Sequence, residues 1–124
     1  MKKNLPGNSP KFIFITGFVP LLLWMLIIFY FSSQPRIPIT TNYAVSFAIF
    51  KTLHLIEYAL LYFLWIRFLI LMRVKKSFLI ALGATILFAG SDEIHQLFVP
   101  TRGGMFRDVV VDAIGACLMF ILLQ

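Results

Sequence analysis

One cysteine stands among 124 residues, so no internal disulfide forms and no redox compartment can be read from thiols. Cys117 lies in an apolar run and reads as a small packing residue. Charge is scarce as well. Only 13% of the chain is charged, where soluble domains carry about 25%. The hydrophobic fraction of 60% exceeds the usual 45–50% or so, and a soluble domain of this length could not bury so much apolar surface. Internal repeats, low-complexity tracts and a separate soluble domain are all missing, which leaves residues 1–124 as one domain.

What is present in quantity is the long apolar run. About 20 such residues cross a hydrocarbon core of about 30 Å. Four runs qualify, at about 12–31, 53–72, 77–98 and 106–123. The first follows Lys2, Lys3 and Lys11 and resembles a signal peptide at first sight. Its length exceeds the usual signal core and no A-x-A-like site follows, so it reads as an anchor. The long connection opens with Ser32-Ser33-Gln34-Pro35 and carries Pro38, where prolines forbid helix. Residues from Thr41 to Phe50 read as a short interfacial helix feeding the second span. The expectation is an all-α integral membrane protein, a bundle of four transmembrane helices.

Lysine and arginine set the orientation. Lys2, Lys3, Lys11, Arg67, Arg73, Lys75 and Lys76 fall on one side; Arg36, Lys51, Arg102 and Arg107 fall on the other. That bias puts both termini in the cytoplasm of a multi-pass protein of the cytoplasmic membrane. All five acids (Glu57, Asp92, Glu93, Asp108, Asp112) and both histidines (His54, His95) then lie in the outer half. Four basic against five acidic residues leaves the outer side at −1, so the inner side carries +7 of the net +6. The basic excess thus faces the cytoplasm and anionic lipid, and nucleic acid is not the partner it implies.

The acids also share a depth. Glu57 is 16 residues before Arg73, Asp92 is 16 after Lys76 and Asp108 is 16 before Gln124, each about 24 Å along a helix from its cytoplasmic end. His54 and His95 are each 19 residues from the same marks, about 28 Å; Asp112 is 12 from Gln124, about 18 Å. Ionised groups there cost at least a few kcal/mol, so they face the bundle interior, pair or change protonation. Lys51, His54, Glu57 and Tyr58 share one helix face; so do Asp92, His95 and Gln96, and Asp108 with Asp112. Lys51, Arg102 and Arg107 are the nearby cations, with Arg36 further off in the loop. Glu93 completes the layer. Ser32 and Ser33 sit in no nucleophile motif and read as turn or end-capping residues.

In these residues the chain resembles the VanZ-like family of small bacterial membrane proteins. The resemblance is carried by Ser32-Ser33-Gln34, Lys51…His54…Glu57-Tyr58, Asp92-Glu93…Gln96, Pro100-x-Arg102 and Arg107-Asp108…Asp112…Gly115, in the order of the spans. Asp112 stands where the family often has asparagine, and Gly103-Gly104-Met105-Phe106 replaces a more polar loop. The resemblance implies a link to low-level teicoplanin resistance, the property of the family's namesake, and brings no established catalytic residues.

Two histidines and five acids are more than helix association requires. The leading expectation is an outward-facing polar cavity that engages a lipid-linked cell-wall precursor or a glycopeptide among membrane lipids. His54, Glu57, Asp92 and Asp108 form its core, and Lys51, Arg102 and Arg107 are its anion contacts. Tyr58, Glu93, His95, Gln96 and Asp112 complete the ligand-binding set. One alternative is a membrane-embedded hydrolase or transferase acting on a lipid-linked phosphoryl or acyl group, with His54, Glu57, Asp92 and Asp108 as catalytic candidates. Another is an ion- or proton-coupled transporter, whose path would need a homo-oligomer because the inner half is apolar apart from Arg67. No cofactor is expected. Carboxylates and imidazoles suit Zn²⁺ or Mn²⁺, but neither Asp-Glu-x-x-His-Gln nor His54-x-x-Glu57 is a metal motif.

Overall fold

The computed structural model describes residues 9–102 and 106–124, so Lys2, Lys3, Gly103, Gly104 and Met105 lie outside the described residues. The described residues form four helical stretches: α1 (Pro10–Ser32), α2 (Tyr43–Leu71), α3 (Ser77–Gln96) and α4 (Phe106–Leu122). No strand occurs among the described residues. Helices α1, α2 and α3 are long and apolar enough to cross a membrane. At 17 residues, α4 is the shortest, about 25 Å in length.

Each boundary has a local cause. Ser9 caps α1 by accepting from the Phe12 N–H, with Pro10 in the first turn where its missing donor is harmless. Pro20 cannot donate to the preceding turn, and the helix widens over Phe14–Phe18, where the Val19 N–H reaches back to the Phe14 carbonyl. Asn42 opens α2, its Oδ1 accepting from the Ala44 and Val45 amides. From there α2 runs unbroken for 29 residues. The separate interfacial helix expected before the second span is absorbed into it, because neither glycine nor proline interrupts the ladder between Phe50 and Leu53. At its far end the Arg73 and Val74 amides bond the Ile70 and Leu69 carbonyls, a left-handed cap with Arg73 at φ 56° where glycine is usual.

Helix α2 is central and packs on all three others. Small residues allow this. Ala81, Ala89 and Ala116 are fully buried, and a Cβ on Gly115 would lie 2.4 Å from the Leu55 carbonyl oxygen. One apolar cluster gathers Leu21, Ile28, Tyr58, Leu61 and Ala89; the second gathers Tyr62, Ile66, Leu69, Ala81 and Ala116 toward the 72–76 turn. The Trp24 indole N–H donates to the Glu57 carbonyl and pins α1 to α2. Large apolar side chains face outward, Leu87 at 77% exposure and Leu122 at 78% among them. Cys117 is exposed on α4 and does not pack inside the bundle, since the close α2–α4 approach is taken by Gly115 and Ala116.

Candidate functional site

The end of α1, the start of α2, the end of α3 and the start of α4 meet at one end of the bundle. The 33–42 connection folds over that end, and Arg102 holds it there. Its guanidinium donates to the Gln34 carbonyl at 2.8 Å and to the Phe31 carbonyl at 3.0 Å, capping the last turn of α1. Burial, and next the Arg36 charge, push the Arg102 guanidinium below its ordinary pKa. The Arg36 amide donates to Thr101 Oγ1, and its guanidinium lies 5.1 Å from the centre of the Phe50 ring.

Beneath this cover is a cavity of about 450 Å³. Helix α1 contributes Ile28, Phe31 and Ser32, the connection contributes Arg36, and α2 contributes Leu53, His54 and Glu57. Asp92 of α3 and Arg102 close it. Of the sequence-expected core residues, His54, Glu57 and Asp92 therefore share one cavity, together with Arg102. Asp108 does not line it. Because α4 packs on α2 and α3, the first turn of α4 meets Lys51, and Asp108 and Lys51 form an ion pair outside the cavity. Arg36, which sequence position sets apart, is brought in by the folded-back connection.

Asp92 is 3% exposed and held from one side. Its Oδ2 accepts from the Tyr58 hydroxyl and from Gln96 Nε2, each at 3.2 Å, and Gln96 Nε2 also donates to Ser32 Oγ at 3.1 Å. Its Oδ1 has no hydrogen-bond partner among the described residues. Tyr58 and Gln96 are buried behind Asp92 and position it, without lining the cavity. Ser32, read from sequence as a turn or cap residue, is part of this chain; its place right after the last apolar residue of α1 was the available signal.

His54 stands between two carboxylates. Its Nδ1 is 3.7 Å from Glu57 Oε2 and 3.6 Å from Asp112 Oδ1, beyond hydrogen-bond distance from both. Asp112 is 1% exposed, and neither of its oxygens has a hydrogen-bond partner among the described residues. Glu93 is buried and Arg107 exposed, and neither lines the cavity. His95 departs from the shared face expected with Asp92. It turns toward α1, stacks on Phe29 with ring centres 4.4 Å apart, and places Nε2 2.9 Å from Ser33 Oγ. The Ser33 hydroxyl donates to the Phe29 carbonyl at 2.7 Å, so it accepts from His95 and is not primed as a nucleophile. No three His, Cys, Asp or Glu side chains among the described residues are arranged as a metal-holding group.

The cavity brings together two guanidinium groups, a half-satisfied carboxylate, a second carboxylate and an imidazole on apolar walls. The family model described as VanZ/LLP1 matches residues 17–124 of the chain. No curated protein and no solved structure matches it.

Proposed function

The chain belongs to the VanZ/LLP1 family, and from that premise we propose a four-span protein of the bacterial cytoplasmic membrane whose polar cavity binds an anionic head group at the outer leaflet. Both termini are cytoplasmic, and the ligand is a lipid-linked cell-wall precursor or a glycopeptide of the teicoplanin kind. One observation carries this reading. Arg36 and Arg102 line the same cavity, and among the described residues no ion pair joins either to a carboxylate. Two neighbouring guanidinium groups outside any ion pair favour phosphate or carboxylate: Arg36 Nε has no hydrogen-bond partner among the described residues, and Arg102, held by the Gln34 and Phe31 carbonyls, adds its charge beside it.

Two further features support it. Lys11, Arg67, Arg73, Lys75 and Lys76 all belong to the half of the bundle remote from the cavity, as positive-inside sorting requires of a cytoplasmic face. The core of that half, Tyr62, Ile66, Leu69, Ala81 and Ala116, contains no charged side chain. A sealed inner half suits a receptor and leaves a transporter without a path.

Orientation and ligand are tested together. In a Cys117→Ser background, single cysteines in the 33–42 connection will react with an impermeant reagent in intact cells, and cysteines at 73–76 only after lysis. The purified protein will gain thermal stability with undecaprenyl phosphate or teicoplanin, and the Arg36→Gln/Arg102→Gln double variant will lose at least about tenfold in affinity. Labelling of the 73–76 turn from outside, or no stabilisation by either compound, would overturn the reading.

A further inference from the structure

The cavity that the proposed function reads as an anion site also carries an unanswered demand of opposite sign. Asp92 is buried, its Oδ2 is committed to Tyr58 and Gln96, and its Oδ1 has no hydrogen-bond donor among the described residues, yet Asp92 lines the cavity. Glu57 lines the same space, and its neighbour His54 likewise has an unpartnered Nδ1. A ligand that brought only a phosphate would satisfy Arg36 and Arg102 while leaving two acids beside added negative charge. Like charges crowded in a low dielectric repel strongly. A buried acceptor left without a donor also costs the full desolvation of that oxygen.

We infer that the head group is zwitterionic: a phosphate held by Arg36 and Arg102, and a primary ammonium that donates to Asp92 Oδ1 beside Glu57. This inference rests on the proposed anion-binding role and narrows it to a phosphoethanolamine-type group. The N–H bonds are the discriminating element. A quaternary ammonium carries the same charge but has no hydrogen to give, so it leaves Asp92 Oδ1 unanswered. A phosphatidic acid or phosphoglycerol head group lacks the cation altogether. The chemistry is shared by a membrane lipid and by a free phosphoethanolamine, and the two sources differ in whether an acyl chain on the apolar outer face of the bundle adds affinity.

The test uses the full chain in nanodiscs or detergent and measures displacement of a fluorescent phosphatidylethanolamine. Unlabelled phosphatidylethanolamine should compete about tenfold better than phosphatidylcholine or phosphatidic acid, the loss expected for one missing charge-assisted hydrogen bond. Asp92→Asn should erase that preference, bringing phosphatidylethanolamine to the level of phosphatidylcholine. Free O-phosphoethanolamine competing as well as the lipid would assign the site to a soluble ligand of the same chemistry; much weaker competition would assign it to the lipid. Equal competition by phosphatidylcholine and phosphatidylethanolamine overturns the inference, even should Asp92→Asn fail to fold. Binding that depends on Arg36 and Arg102 but ignores the amine would overturn the inference alone. Binding indifferent to both arginines would remove the anion reading with it.

Discussion

Gly115→Val will fail to give a folded protein, and Gly115→Ala will lose about 3 kcal/mol of stability. The cause is backbone against backbone. A Cβ at position 115 would lie 2.4 Å from the Leu55 carbonyl oxygen and 3.2 Å from its carbonyl carbon. Neither atom can rotate away, so α2 and α4 would have to separate. That separation pulls apart the Lys51–Asp108 pair and the His54–Asp112 approach, both of which span the same two helices. Helix association inside lipid depends on close packing in place of a hydrophobic drive, which makes such a contact expensive to lose. Gly83 and Gly90 supply the control, since a Cβ at either meets nothing within 4 Å. Alanine there should be neutral or stabilising by up to about 1 kcal/mol through helix propensity. Thermal unfolding in detergent ranks the variants, and a Gly115→Ala protein as stable as Gly83→Ala would refute the close crossing.

The second expected result is that Asp92→Asn and Glu57→Gln fold and lose function. Asparagine keeps an oxygen for the Tyr58 hydroxyl and Gln96 Nε2, so the network behind position 92 survives the change. Removing charge from Asp92, which is buried and in no ion pair among the described residues, relieves desolvation, and the stability of both variants should stay within about 1 kcal/mol or rise. Ligand-induced stabilisation and any shift in glycopeptide susceptibility should fall at least about tenfold. Asp108→Asn is the contrasting case. It strands Lys51, whose partner it is, and should cost about 2 kcal/mol, less than a fully buried pair because both side chains are 16–17% exposed. Thermal melts beside a susceptibility assay separate the two classes. Unfolding of both Asp92→Asn and Glu57→Gln would make the layer a structural network that only specifies helix pairing.

Helix position was legible from the chain. The runs at 12–31, 77–98 and 106–123 correspond to Pro10–Ser32, Ser77–Gln96 and Phe106–Leu122. Asn42 and the prolines at 35 and 38 mark the connection between α1 and α2. The start of α2 differs: the short helix expected over Thr41–Phe50 and the span expected at 53–72 are one continuous helix, Tyr43–Leu71. Helical hydrogen bonding has no reason to stop between the two without a breaker. Height was legible for α2 and α3, whose Glu57 and Asp92 line one cavity as equal counts at a fixed rise predict, and not for α4, whose Asp108 lies beside Lys51.

The sequence by itself determined the helical class, the family and the gathering of acids, histidines and cations at one end, since these follow from local propensity, hydropathy and order along the chain. Rotation about each helix axis, and the path of the irregular connections, belonged to the tertiary structure. Asp92 and His95 sit three residues apart, yet one is held by Tyr58 and Gln96 while the other stacks on Phe29. Asp108 was expected level with Glu57, but the packing of α4 on α2 sets it beside Lys51, outside the cavity. Arg36 enters the cavity because the connection folds back, held by Arg102 on the Phe31 and Gln34 carbonyls and by Thr101 on the Arg36 amide. Each of these outcomes is fixed by contacts between residues far apart in the chain, and a count along one helix has no information about the azimuth of its neighbour.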